Sequence, residues 1–188
     1  MASALPLLGP DFTDLTRVED FFAWMERQPR KFELIEGRLV MMAGGTRLHA
    51  ALAARVIASL GRQLAEQRCD VFTSDFLVDL GSRNRFYPDA SVVCDETRDW
   101  TDRPALVVEV LSETTREDDL GRKLRAYLAA PAIHYVLYLE QDAIRARFWA
   151  KPEDAVDLEG EDAVAEMPRL GLRLELGELY RDLGFGAS

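Results

Sequence analysis

The chain has 188 residues, 48% hydrophobic and 30% charged, with 12 Gly, 8 Pro and 2 Cys. That length suits one domain with a real core, the apolar content is too high for disorder, and no apolar run approaches the ~18 residues of a membrane span. Lys and Arg number 23 against 33 Asp and Glu, a net charge of −10, so the surface as a whole repels polyanions and a nucleic-acid binder needs a local basic patch or a bound cation.

Residues 1–10 lack a basic start and run into acidic residues, which argues against a secretory signal. Thr16 followed by Glu19 resembles a capping box, opening a helix with Val18, Phe21, Phe22 and Met25 as its stripe and Pro29 as its stop. Residues 32–42 read as a hairpin bent at Glu36-Gly37. Gly44-Gly45-Thr46 leads into the longest helix, 48–67, where Leu52, Val56, Leu60 and Leu64 recur at helical spacing.

Beyond Cys69 the period changes. Segments 71–80, 86–94 and 105–111 are rich in β-branched and aromatic residues and predict three strands, with a polar loop at 81–85. A helix over 114–130 carries Leu120, Leu124, Tyr127 and Leu128 on one face and stops at Pro131. Residues 133–140 and 143–150 pair across Gln141-Asp142, and the rest is acidic and irregular until a strand at 170–174 and a short helix at 176–183. The strand, helix, strand passage from Val107 to Leu139 implies a crossover within a mixed sheet, so the class is α/β. Cys69 and Cys94 offer neither a disulfide framework nor zinc-site spacing, and the chain reads as cytoplasmic.

Three charged residues are out of place. Glu109 interrupts Ala-Leu-Val-Val-Glu-Val-Leu, a run apolar on both faces that marks a central strand, where a carboxylate needs a cation: a metal, a Lys or an Arg. Asp89 follows Pro88, which implies a bulge, an edge or a strand start; if its strand neighbours that of Glu109, two carboxylates lie ~5 Å apart and call for a cation between them. Lys123 follows on the next helix beside the apolar stripe, although taken alone it reads as a solvated flank residue. His49 opens the long helix, Glu33 and Glu36 straddle the hairpin bend, His134 begins a strand as a structural residue, and Ser112 and Cys94 are weak nucleophile candidates without an obvious base.

Asp and Glu on adjacent strands followed by a Lys are the parts of a divalent-metal phosphodiesterase site. In that order, Pro88-Asp89, Glu109 and a Lys, the chain resembles the PD-(D/E)XK nuclease superfamily. It resembles more closely the bacterial putative restriction endonuclease family (the Uma-two family), through Phe-Glu-Leu-Ile-Glu-Gly-Arg-Leu-Val (32–40), His49, Tyr-Pro-Asp-Ala-Ser-Val-Val (87–93), Leu-Val-Val-Glu-Val-Leu-Ser (106–112), Lys123 to Tyr127, His-Tyr-Val-Leu (134–137) and Leu-Glu-Leu-Gly-Glu-Leu-Tyr (174–180).

The resemblance implies a restriction-endonuclease-like αβββαβ core, a central mixed sheet flanked by helices. One domain would span 1–188, with an N-terminal helix and hairpin at 12–45, the nuclease-like core at 46–150 and an extension at 151–188. It implies a metal-dependent DNA endonuclease with Asp89 and Glu109 as ligands of Mg²⁺ (or Mn²⁺), and His49 and Glu33 as further site residues. The superfamily's Lys two residues after Glu is Leu111 here, and the resemblance allows Lys123 to supply the ammonium from the following helix. Cutting a duplex on both strands favours a homodimer. The alternative is a catalytically weak or inactive interaction module on the same fold, within a mobile-element or toxin-like system.

Overall fold

The apolar run around Glu109 becomes the inside of a sheet. The structure, a computed structural model, describes residues 15–42, 44–94, 97–112 and 119–185. In chain order come α1 (Val18–Met25), β1 (Phe32–Ile35), β2 (Arg38–Met41), α2 (Arg47–Leu64), β3 (Cys69–Thr73), β4 (Leu77–Asp79), β5 (Arg85–Phe86), β6 (Ala90–Cys94), β7 (Trp100–Thr101) and β8 (Leu106–Leu111). A π-helical turn (Asp119–Lys123) then runs into α3 (Leu124–Ala129), followed by β9 (Tyr135–Glu140), β10 (Arg145–Ala150), β11 (Val156–Glu159), β12 (Val164–Met167), β13 (Leu172–Glu175) and α4 (Leu176–Tyr180).

The main sheet has the order β11-β10-β9-β8-β6-β3. β8 pairs antiparallel with β6 and parallel with β9, so it is an interior strand and α3 belongs to the crossover. Its alternation sorts the core: Leu106, Val108 and Val110 face α2, β13 and α4, whereas Val107 and Leu111 face Tyr127 of α3 together with Ile35 and Phe86. A second sheet, β2-β1-β5-β4-β7, packs its Ile35 and Phe86 into that second cluster and carries α1 on Phe32, Leu34, Leu39 and Leu77. β12 and β13 form a separate two-stranded pair.

Several expectations change. The predicted strand 71–80 is two strands in two different sheets, because Thr73-Ser74-Asp75 turns the chain and the Phe76 N–H donates to the Thr73 carbonyl at 3.0 Å. Likewise 86–94 breaks at Pro88-Asp89, where the chain passes from the second sheet into the main one; Pro88 marks a strand start. The capping box does not form: the N-cap residue of α1 is Arg17, without a side-chain cap. The tail beyond 150 is more regular than its composition suggested, since β11 and β12 lie within it. The start of the helix predicted over 114–130 lies outside the described residues.

Cys69 and Cys94, expected to form no disulfide, face each other across β3 and β6 and are bonded, with Cα atoms 3.9 Å apart. The sequence hides this because 25 residues separate the two, and only the strand register brings them together. The bridge also removes Cys94 as a nucleophile. Among the described residues no helix is long and apolar enough to cross a membrane.

Candidate active site

Glu109, Lys123 and Glu33 converge from three elements into the space between the two sheets. Glu109 is 4% exposed, Lys123 4% and Glu33 6%. Lys123 Nζ lies 2.7 Å from Glu109 Oε1 and 3.1 Å from Glu33 Oε1. The sequence's demand for a cation beside Glu109 is met by Lys123, which leans inward and is buried. Lys123 closes the π turn, and that geometry recurs at functional sites because it re-aims side chains.

Two further groups fix this triad. The Tyr127 hydroxyl donates to Glu109 Oε1 at 2.7 Å, so an ammonium and a phenol one helical turn apart hold the same oxygen. Burial and then the charge of Glu109 push the Tyr127 hydroxyl well above its ordinary range, which keeps it a donor. The Tyr87 backbone N–H donates to Glu33 Oε1 at 2.8 Å. The Tyr87 phenol is pushed up to about 12 by burial, then by Glu33 and Asp75, and its ring lies under Lys31 Nζ at 3.9 Å. Lys123 thus bridges two carboxylates that each take a further donor, the Tyr127 hydroxyl for Glu109 and the Tyr87 N–H for Glu33.

Asp89 sits where the chain crosses between sheets. Continuing the register of β6 and β8 by one residue sets it opposite Glu109. Its Oδ2 accepts the Val110 backbone N–H at 2.7 Å and lies 3.1 Å from His49 Nε2. His49 stands in the first turn of α2, whose N-cap Thr46 accepts the His49 N–H through Oγ1 at 3.1 Å. Gly45 is required there: a Cβ would stand 2.6 Å from His49 Nδ1. Beside this pair a cavity of about 750 Å³ opens at the carboxyl ends of β8 and β9, lined by Leu111, Ser112, Gln141 and residues 44–48.

The structure thus gathers the predicted residues into two linked groups, Glu33, Glu109 and Lys123 on one side and Asp89 with His49 on the other, joined through the backbone of β8. Among the described residues no three His, Cys, Asp or Glu side chains are grouped as ready metal ligands. The donor chemistry still fits Mg²⁺, which takes one or two carboxylates and fills its remaining positions with water and phosphate oxygens. Sequence reading missed Tyr127, taken as a core residue of the stripe, and Gly45. The i,i+4 spacing of Lys123 and Tyr127 is the signal that would have found the former.

Comparisons with known proteins bear on the family and the fold. The sequence model of the Uma2 family, described as "Putative restriction endonuclease", matches residues 18–177. Two uncharacterized proteins of Synechocystis sp. are similar: slr1290 is 28% identical over 176 residues, covering 89% of this chain and 92% of its own, and sll1609 is 26% identical over 166 residues, covering 82% and 93%. Among solved structures, a "putative nuclease belonging to DUF820" from Anabaena variabilis superposes with a TM-score of 0.72 at 16% identity, over 84% of this chain and 96% of that one. The restriction-endonuclease-like α/β fold is therefore shared despite low sequence identity.

Proposed function

Because the chain belongs to the Uma2 restriction endonuclease family, we propose that it is a metal-dependent DNA endonuclease that hydrolyses phosphodiester bonds at Asp89, Glu109 and Lys123. The observation that carries this reading is Lys123: a buried ammonium drawn 2.7 Å from the strand-centre carboxylate of Glu109, with the Asp89 carboxylate one register step away across β6 and β8.

In this proposal Asp89 and Glu109 hold Mg²⁺ (or Mn²⁺), which when bound lowers the pKa of a water and offsets charge on the phosphate. Glu33 shares the Lys123 charge and fixes Nζ between the hairpin and β8. Lys123 orients a water or donates toward the departing oxygen. Tyr127 holds one oxygen of Glu109, leaving the direction of the carboxylate set by the helix. His49 does the same for Asp89 from α2. The 750 Å³ cavity at the carboxyl ends of β8 and β9, next to the start of α2, is where a DNA strand would lie.

The functional unit is a homodimer, since two symmetric sites cut both strands of a duplex. Its DNA substrate places its action in the cytoplasm. A second reading, an inactive interaction module, is favoured by one feature: Leu111 occupies the position where the superfamily carries its Lys. Supercoiled plasmid incubated with Mg²⁺ or Mn²⁺ separates the two. Nicking that chelator stops supports the nuclease, and no nicking at any metal concentration supports the module.

A further inference from the structure

On a chain of net charge −10, four arginines gather at the bend between β1 and β2. Arg83 Nη2 donates to the Glu36 carbonyl at 2.7 Å, Arg125 Nη2 lies 3.0 Å from Glu36 Oε1, and Arg122 Nε lies 3.6 Å from Oε2. Arg38, exposed at the start of β2, lines a surface cavity of about 430 Å³ together with Glu36, Arg83 and Arg122. Two guanidiniums therefore reach the Glu36 carboxylate, a third its carbonyl, and the fourth lines the same cavity. The Arg125 hydrogen bond, then the charges of Arg125, Arg122 and Arg83, hold Glu36 below its ordinary range.

The bend is built at some cost. Ile35 pairs with Arg38, and the two residues between them both have positive φ, Glu36 at 51° and Gly37 at 82°, a type I′ turn. Asn or Asp is the ordinary occupant of the first position, and a Glu there is strained. The strain is held by Asn84 Oδ1, which accepts the Glu36 N–H at 2.9 Å, and by the Gly37 N–H on the Arg83 carbonyl at 2.8 Å. What Glu adds over Asn is reach, because its carboxylate extends to Arg122 and Arg125. The elements that carry the cluster are also those that carry Glu33 and Lys123 into the buried site.

We infer that Arg38, Arg83, Arg122 and Arg125 form a docking site for the phosphate backbone of duplex DNA, with Glu36 as the residue that positions the guanidiniums. Planar guanidiniums suit phosphate oxygens, and the cluster reverses locally the field that repels polyanions elsewhere. The inference rests on the nuclease reading for the identity of the polyanion.

The test is binding of labelled duplex DNA, with chelator and again with Ca²⁺, as NaCl is raised from about 50 to about 200 mM. Arg38→Ala and Arg125→Ala are each expected to lower the slope of log K against log salt by about 0.9, and the double variant by about twice that. Arg62→Ala, on α2 across the main sheet, is expected to leave the slope unchanged. Slopes equal to wild type in both cluster variants overturn the docking site, as does a wild-type chain that binds no duplex at the lowest salt. Plasmid nicking is read separately. Altered slopes without nicking keep the docking site and remove the nuclease reading, whereas nicking with unaltered slopes does the reverse.

Discussion

Arg85 and Lys123 are both buried cations beside a carboxylate, 1% and 4% exposed, yet their surroundings differ in kind. Arg85 spreads its charge over fixed acceptors: the Leu15 carbonyl at 2.5 Å, the Thr16 carbonyl at 2.8 Å, and Asp79 Oδ1, which lies 3.1 Å from Nε without hydrogen-bond alignment. Asp79 is its partner in the register of β4 and β5, so the pair stitches one sheet to the segment before α1. Burial dominates both members, raising Asp79 and lowering Arg85 against their mutual attraction. Lys123 instead bridges two carboxylates on strands of different sheets, Glu33 of β1 and Glu109 of β8. The first arrangement joins one cation to one carboxylate and two carbonyls; the second shares one cation between two carboxylates.

The sharpest way to break the comparison is to remove the carboxylate that gives the second site its character. Asp89→Ala or Glu109→Ala is expected to abolish metal binding by calorimetry and cleavage of plasmid, with the fold retained by circular dichroism. Next in size, Arg85→Met leaves Asp79 buried without its partner and is expected to cost about 3–5 kcal/mol in denaturant unfolding while turnover per folded molecule is unchanged. Adding Asp79→Leu is expected to restore much of that loss, because the pair is closer to neutral than either half. A double variant no more stable than the single one would mean that the loss comes from the Leu15 and Thr16 carbonyls rather than from an unpaired Asp79.

Lys123→Ala is expected to keep metal binding and lower turnover by roughly two orders of magnitude, about 2.7 kcal/mol. Equal turnover in this variant would reduce Lys123 to the structural role that Arg85 plays. The smallest effect belongs to Tyr127→Phe. The folded-state value of Tyr127 is raised, so its contribution to stability is complete below the ordinary phenol value near 10 and is lost as pH climbs toward the folded one. Thermal midpoints of the wild type are therefore expected to fall more steeply above pH ~10 than those of Tyr127→Phe.

The contrast also shows what a sequence can reveal. Glu109 was legible because an unbroken apolar run announces burial on both faces, and a carboxylate inside it demands explanation. Arg85 was not: it lies in a polar stretch, next to a loop, with no periodic signal that its guanidinium turns inward. Glu33 and Lys123 were legible as residues but not as a pair, since 90 positions separate them and only the approach of the π turn to β1 joins them. The two breaks at 73–75 and 88–89 were hidden by flanking strands of similar composition, though the Thr-Ser-Asp and Pro-Asp turns were written there. β11 was missed because it is an edge strand with no buried residue, Val156 being 54% exposed, so it lacks the alternation that marks a half-buried strand.

The π turn before α3 makes the chain's tolerance of changed length asymmetric about Lys123. Such a turn differs from an α-helix by a single accommodated residue, so the stretch leading up to Lys123 belongs to a class of geometry that gains or sheds one position without unravelling. Between Lys123 and Tyr127 there is no such slack. Both side chains end on one oxygen of Glu109, and an inserted residue would rotate the phenol about 100° away from the ammonium's partner. A change of length within that four-residue step would therefore part the two donors that share one oxygen of Glu109.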